Sequence, residues 1–151
     1  MKPERPNRSY LETVFTCRCP RCREGKLFKY SLALRLKRNL EMFDECTVCR
    51  QPTDLEVGFY YGTGYISYLL ALAFTAISCL LWFFIIGFSF RDSRFAVWIT
   101  LNSIILLLLQ AWLMRFSRAL WLSFFVSYDE DWEHTLPVMP ERVNEDQKNN
   151  W

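Results

Sequence analysis

The chain has 151 residues, 52% apolar and 17% aromatic, with a formal net charge of +2, which leaves no room for a second large soluble domain beside a small folded unit and one hydrophobic hairpin. Charge is segregated, with 12 of the 18 Lys and Arg residues before Tyr60 and acidic residues dominating the end. The mean hydropathy of +0.03 therefore averages polar flanks with a concentrated apolar middle.

Residues 1–14 read as an N-terminal arm. Met1 to Arg8 carry no apolar core of a signal peptide, so the six cysteines are not expected to form a secreted disulfide framework. Residues 15–58 read instead as a zinc ribbon. Cys19 pairs with Cys22 and Cys46 with Cys49 in two Cys-x-x-Cys knuckles, separated by 23 residues. Two thiolates on one tight turn take half of a tetrahedral zinc, and the second turn completes it. The apolar residues of this stretch, chiefly Phe15, Leu27, Phe28, Leu32, Leu34, Leu36, Leu40, Met42 and Phe43, are too few for a large core, so a structural Zn2+ is expected to staple the fold. Cys17, one residue from Cys19, has poor knuckle spacing and is expected to be a free or exchange-capable thiol. Leu32 to Leu36 alternate like a strand, while Leu32, Leu36, Leu40 and Phe43 also share a helical face; periodicity does not choose between them.

No catalytic set accompanies the cysteines. A single histidine, His134, excludes a His-Glu-x-x-His site, and there is no Gly-x-x-x-x-Gly-Lys phosphate loop. Thiol-disulfide exchange at a Cys-x-x-Cys pair would need the larger α/β scaffold that such chemistry uses. Eight basic residues between Arg18 and Arg38 face only Glu24. Sparse aromatics argue against nucleic acid, leaving anionic lipid headgroups or plain solvent as their surroundings.

Residues 59–128 read as a membrane hairpin. No charged side chain occurs from Val57 to Phe90, and the spans fall at about 65–88 and 95–114, each near the roughly 20 residues that cross a bilayer. Ser89 to Arg94 make a short turn that sets the two helices antiparallel. Tyr60, Tyr61, Tyr65 and Tyr68 gather at one boundary, and Trp82, Phe88, Phe90 and Trp98 near the other, as interfacial aromatic belts do. Ser67, Ala71, Thr75 and Ser78 share the face of the first span expected to meet the second. On the second span Ser103 and Gln110 share a face, with Asn102 at its edge, and are expected to act as interhelical glue. Cys79 is expected to be a packing residue. Ala119 to Val126 is too short to cross again and is expected to continue the second helix along the interface. Residues 129–151 read as an acidic, solvated tail in which His134 is exposed. Reduced thiolates survive in the cytosol, which sets both termini on the cytoplasmic side of a bacterial inner membrane.

Cys19-Pro20-Arg21-Cys22 with Gly25-Lys26-Leu27-Phe28, then Cys46-Thr47-Val48-Cys49, Gly58-Phe59-Tyr60-Tyr61-Gly62 and the exit Arg115-Phe116-Ser117-Arg118-Ala119-Leu120-Trp121, resemble the bacterial domain-of-unknown-function family 983 from about Cys17 to Tyr128, in the variant found in Bacteroidetes. The family has no established activity. Some of its members are encoded beside cytochrome oxidase assembly genes, so the resemblance implies a role around respiratory complexes. Arg23 and Arg50 stand where the family commonly has glycine after each knuckle, at a cost of roughly 1 to 2 kcal/mol if the backbone is left-handed there. The expectation from these readings together is a non-enzymatic accessory subunit or assembly factor of a larger membrane complex, with the lipid bilayer and a membrane-protein partner but no small-molecule substrate. The alternative is a thiol-based metal carrier or redox protein using Cys17, Cys19 and Cys22.

Overall fold

The computed structural model describes residues 8–32, 36–56, 58–87 and 93–139. Among the described residues are four α-helices in chain order: α1 (Tyr10–Phe15), α2 (Leu36–Asn39), α3 (Thr63–Ile85) and α4 (Arg94–Phe125), with a 3-10 turn at Phe59–Gly62 leading into α3. Ser9 caps α1, its hydroxyl accepting from the Glu12 amide, so the expected N-terminal arm contains a folded turn of helix that packs on α4.

α3 and α4 are each long and apolar enough to cross a membrane. α3 starts two residues before the expected span, and α4 extends well beyond the expected end at Met114. The connecting residues 88–92 lie outside the described residues. The two helices lie side by side. Ser67 donates to the Ser117 hydroxyl (2.8 Å), Ser78 donates to the Asn102 side-chain oxygen (2.8 Å), and the Asn102 amide reaches the Thr75 hydroxyl (3.4 Å). The polar face expected on the first span thus meets the second, and Asn102 and Ser117 of α4 are buried where these bonds form. Ser103 and Gln110, expected as glue between the helices, are exposed instead. At about 100° per residue, Asn102 and Ser103 cannot point the same way. Apart from Thr63 at its start, no residue of α3 is buried, and large apolar side chains such as Leu107 (74% exposed) and Phe84 (78%) cover the hairpin.

The main core lies at the other end. Val14, Leu27, Phe28, Leu55, Phe59 and Tyr60 pack with Phe116, Ala119, Leu122 and Val126. The cysteine-bearing head therefore folds around the last turns of α4, which run on without a break from the apolar part of the helix. The stretch from Ala119 continues α4 as expected, but one of its faces is covered by the head: Ala119, Leu122 and Val126 are buried, while Phe124 and Phe125 stay exposed. Trp121 packs so closely on Gly62 that a Cβ there would come within 2.5 Å of its ring, which makes glycine a steric requirement at the entry to α3. The head contains no named strand among the described residues, only the isolated antiparallel bridges Arg18 with Lys26, Phe28 with Met42 and Glu45 with Pro52. Of the ambiguous Leu32 to Phe43 stretch, residues 36–39 form the single turn α2, and residues 33–35 lie outside the described residues.

Candidate metal centre

Each knuckle is a turn closed by its own backbone. In the first, the Arg23 amide donates to the Cys19 carbonyl (2.8 Å) and the Cys19 amide to the Gly25 carbonyl (2.8 Å). In the second, Arg50 donates to Cys46 (3.0 Å) and Cys46 to Gln51 (2.8 Å). The residue after each second cysteine is left-handed, with φ of 59° at Arg23 and 54° at Arg50, so two arginines occupy positions that favour glycine. Arg23 has compensation: its guanidinium donates to the Arg8 carbonyl (2.7 Å) and lies 3.8 Å from the centre of the Tyr128 ring.

Cys19, Cys22, Cys46 and Cys49 converge, all four buried, with their sulfurs within 4.8 Å of one another. Cys19 to Cys49 and Cys22 to Cys46 each measure 3.7 Å, and all remain free thiols. A disulfide would bring a pair to about 2 Å, whereas a tetrahedron with metal–sulfur bonds of about 2.3 Å has edges near 3.8 Å. The spacing fits four sulfurs around one ion. Gly25 lies against the cluster, where a Cβ would collide with the Cys46 sulfur, and its amide points at the Cys22 sulfur (3.5 Å). Four sulfurs this close redistribute their protons: Cys19, hydrogen-bonded to Cys22, is pushed up, while the hydrogen bond from Cys19 brings Cys22 down to about 7. Four thiolates and a divalent ion would carry a net charge of −2. A buried counter-charge stands beside the cluster in Arg21, between the first pair, whose side chain donates to the Cys49 carbonyl (3.4 Å).

Cys17 is not part of this group. Burial pushes its thiol up to about 11, against the opposing pull of Arg115. It is free, as expected, but held protonated, which works against exchange chemistry because the thiolate is the reactive form. Cys79 is half-buried on α3, and His134 is exposed.

Two features of the site were not expected. First, residues 129–139, read as part of a solvated tail, form a strap across both knuckles. Arg21 donates to the carbonyl and hydroxyl of Thr135 (2.8 Å each) and pairs with Asp129 (3.4 Å), whose amide returns a bond to the Arg21 carbonyl (3.1 Å). Gln51, 0% exposed, donates to the Val138 carbonyl (2.9 Å) and accepts from the Val138 amide (3.0 Å). The Thr135 hydroxyl donates to the Asp129 carboxylate and, with Arg21, holds it below the usual carboxylate range. Residues 140–151 of the expected tail lie outside the described residues.

Second, the head is bolted to α4 by two arginines. Arg115 donates to the carbonyls of Asn39 (2.8 Å), Tyr30 (2.9 Å) and Ser31 (3.0 Å), with Phe28 under its guanidinium at 4.8 Å. Arg118 donates to the Leu40 carbonyl (2.9 Å) and sits 4.9 Å from the Tyr60 ring centre. Asn39 answers by donating to the Ala111 carbonyl (2.6 Å). No protein-family model, curated protein or solved structure matches the chain.

Proposed function

We propose that the chain is a non-enzymatic integral membrane protein, a member of family 983 in type, whose hairpin crosses a bacterial inner membrane with both termini in the cytoplasm. On this reading its head is a zinc-stiffened platform that docks as an accessory subunit or assembly factor on a larger membrane complex of the respiratory kind. The observation that carries it is the joint between head and hairpin: the core of the cysteine domain is built on the same unbroken helix that supplies the second span. A hinge would suit a carrier that swings to deliver cargo; a bolted joint suits a part that fixes the position of something else. Zinc is the ion favoured, since four thiolates in a closed tetrahedron are its usual structural site. Burial of all four sulfurs and the exclusion of Cys17 from their group favour a structural ion over the alternative of a thiol-based carrier or redox protein. The exposed apolar surface of α3 supports lipid as its solvent, because a pair of core helices in a soluble protein would be covered.

The test is isolation of the chain from mildly solubilised native membranes, with metal analysis of the same sample. Reproducible comigration with a larger membrane complex, and one zinc per chain that withstands mild reductant and oxidant, are expected. A chain that migrates alone, or metal lost on such treatment, overturns the proposal.

A further inference from the structure

A groove of about 380 Å³ runs between α3 and α4 where the hairpin meets the head, and Leu40 of the head is part of its lining. On the α3 side it is bordered by Gly64, Ser67 and Ala71, small residues at steps of three and four. At Gly64 the lane is open, with nothing within 4 Å of where a Cβ would stand. The α4 side runs from Gln110 to Arg118, about 12 Å along the axis. The Gln110 amide and the Tyr68 hydroxyl, both on exposed residues of the lining, have no hydrogen-bond partner among the described residues. Arg118 uses one donor, Nη1, on the Leu40 carbonyl (2.9 Å). Its Nε and Nη2 have no partner among the described residues, and neither is sealed inside the protein. The Asp54 carboxylate also acts on Arg118 but does not line the groove.

We propose that this groove holds one anionic phospholipid, its phosphate at Arg118, an ester carbonyl at the Gln110 amide and an acyl chain in the lane past Gly64. The inference rests on the membrane reading given above. On that reading the groove lies at the bilayer surface, because the head reaches along α4 as far as the Ala111 carbonyl, which Asn39 binds (2.6 Å). The chemistry of the lining selects the ligand. A guanidinium has five donors and no acceptor, so its free arms call for an anion, and phosphate oxygens make the stronger, charge-assisted kind of bond. The Gln110 and Tyr68 donors add places for neutral acceptors, which the glycerol esters supply. A free phosphate or a soluble phosphate ester would leave the lane beside Gly64 and Ala71 empty, whereas an acyl chain fills it. The cation is what separates this groove from ordinary contact with the bilayer, since apolar walls alone would take any lipid.

The experiment is native mass spectrometry of the purified, full-length chain released from nanodiscs made of equal parts phosphatidylglycerol and phosphatidylcholine. The wild type should retain one phospholipid per chain and favour phosphatidylglycerol about fivefold, the increment that one basic residue gives towards an anionic lipid surface. Gly64 has an ordinary helical backbone and faces open space, so Gly64→Leu should plug the lane without touching Arg118 and abolish retention. Gln110→Leu should lower occupancy about threefold, as expected for loss of one hydrogen bond in a bilayer. Glycerol phosphate added in excess should not displace the lipid. Helicity and bound metal, followed in each variant, should stay at the wild-type level. Equal retention of the two lipids, wild-type occupancy in Gly64→Leu, displacement by glycerol phosphate, or a chain that emerges without lipid, alone or as a dimer, overturns the proposal. A chain that stays dispersed in plain buffer without detergent overturns the membrane reading itself, and comigration with a foreign complex is a separate readout, so the two proposals fail distinguishably.

Discussion

The head and the hairpin solve the same problem with opposite means. In the head, side chains capture backbone: Arg21, Gln51, Asn39 and Arg115 are buried, and each donates to main-chain carbonyls from another part of the chain. In the hairpin α3 buries only Thr63, and the hydrogen bonds between the two helices come from a few hydroxyls and one amide. A short segment with little apolar area must be cross-linked by polar bonds and an ion to hold a single shape. Two long helices satisfy their own backbones and need only a solvent that tolerates their apolar surface. The two regions should accordingly fail under different insults.

The largest expected effect separates them outright. Cys46→Ser removes one ligand, and structural zinc contributes roughly 10 to 16 kcal/mol in small metal-folded peptides. Bound metal should fall from one per chain to none and the head should become sensitive to protease, while circular dichroism still reports the long helices. Equal loss of helicity would show that the hairpin depends on the head.

A smaller effect comes from the joint. Arg115→Met keeps the apolar stem but leaves three carbonyls without their donor. Breaking a buried charged hydrogen-bond set of this kind costs about 3 kcal/mol, which should appear as earlier denaturant unfolding of the head with metal still bound. The smallest effect concerns the strap. Thr135→Val removes the hydroxyl that links Arg21 and Asp129. Chelator should then extract the metal a few-fold faster, with unchanged stoichiometry at equilibrium.

How far the sequence could be read follows the same divide. Knuckle spacing identifies Cys19, Cys22, Cys46 and Cys49, because metal geometry demands ligands from two tight turns, and a long uncharged run marks each helix of the hairpin. The joint left no comparable mark. Arg115 and Arg118 stood out only as part of the exit motif, since the carbonyls they bind lie more than 75 residues earlier in the chain and a backbone acceptor has no side-chain identity to search for. Asp129 and Thr135 read as solvent-facing for the same reason. With Asn102, Ser103 and Gln110, periodicity identified which residues share a stripe but not which stripe looks inward, a choice made by packing against α3. The positive φ at Arg23 and Arg50 was foreshadowed only by the resemblance, which has glycine there.

The continuity of α4 has a mechanical corollary. Its 32 residues form a rod about 48 Å long at 1.5 Å per residue, with neither glycine nor proline along it to act as a joint. A tilt imposed at Arg94, whether by a thinner bilayer or by a neighbour leaning on the far end, would therefore be delivered to the cysteine centre as leverage rather than dissipated on the way.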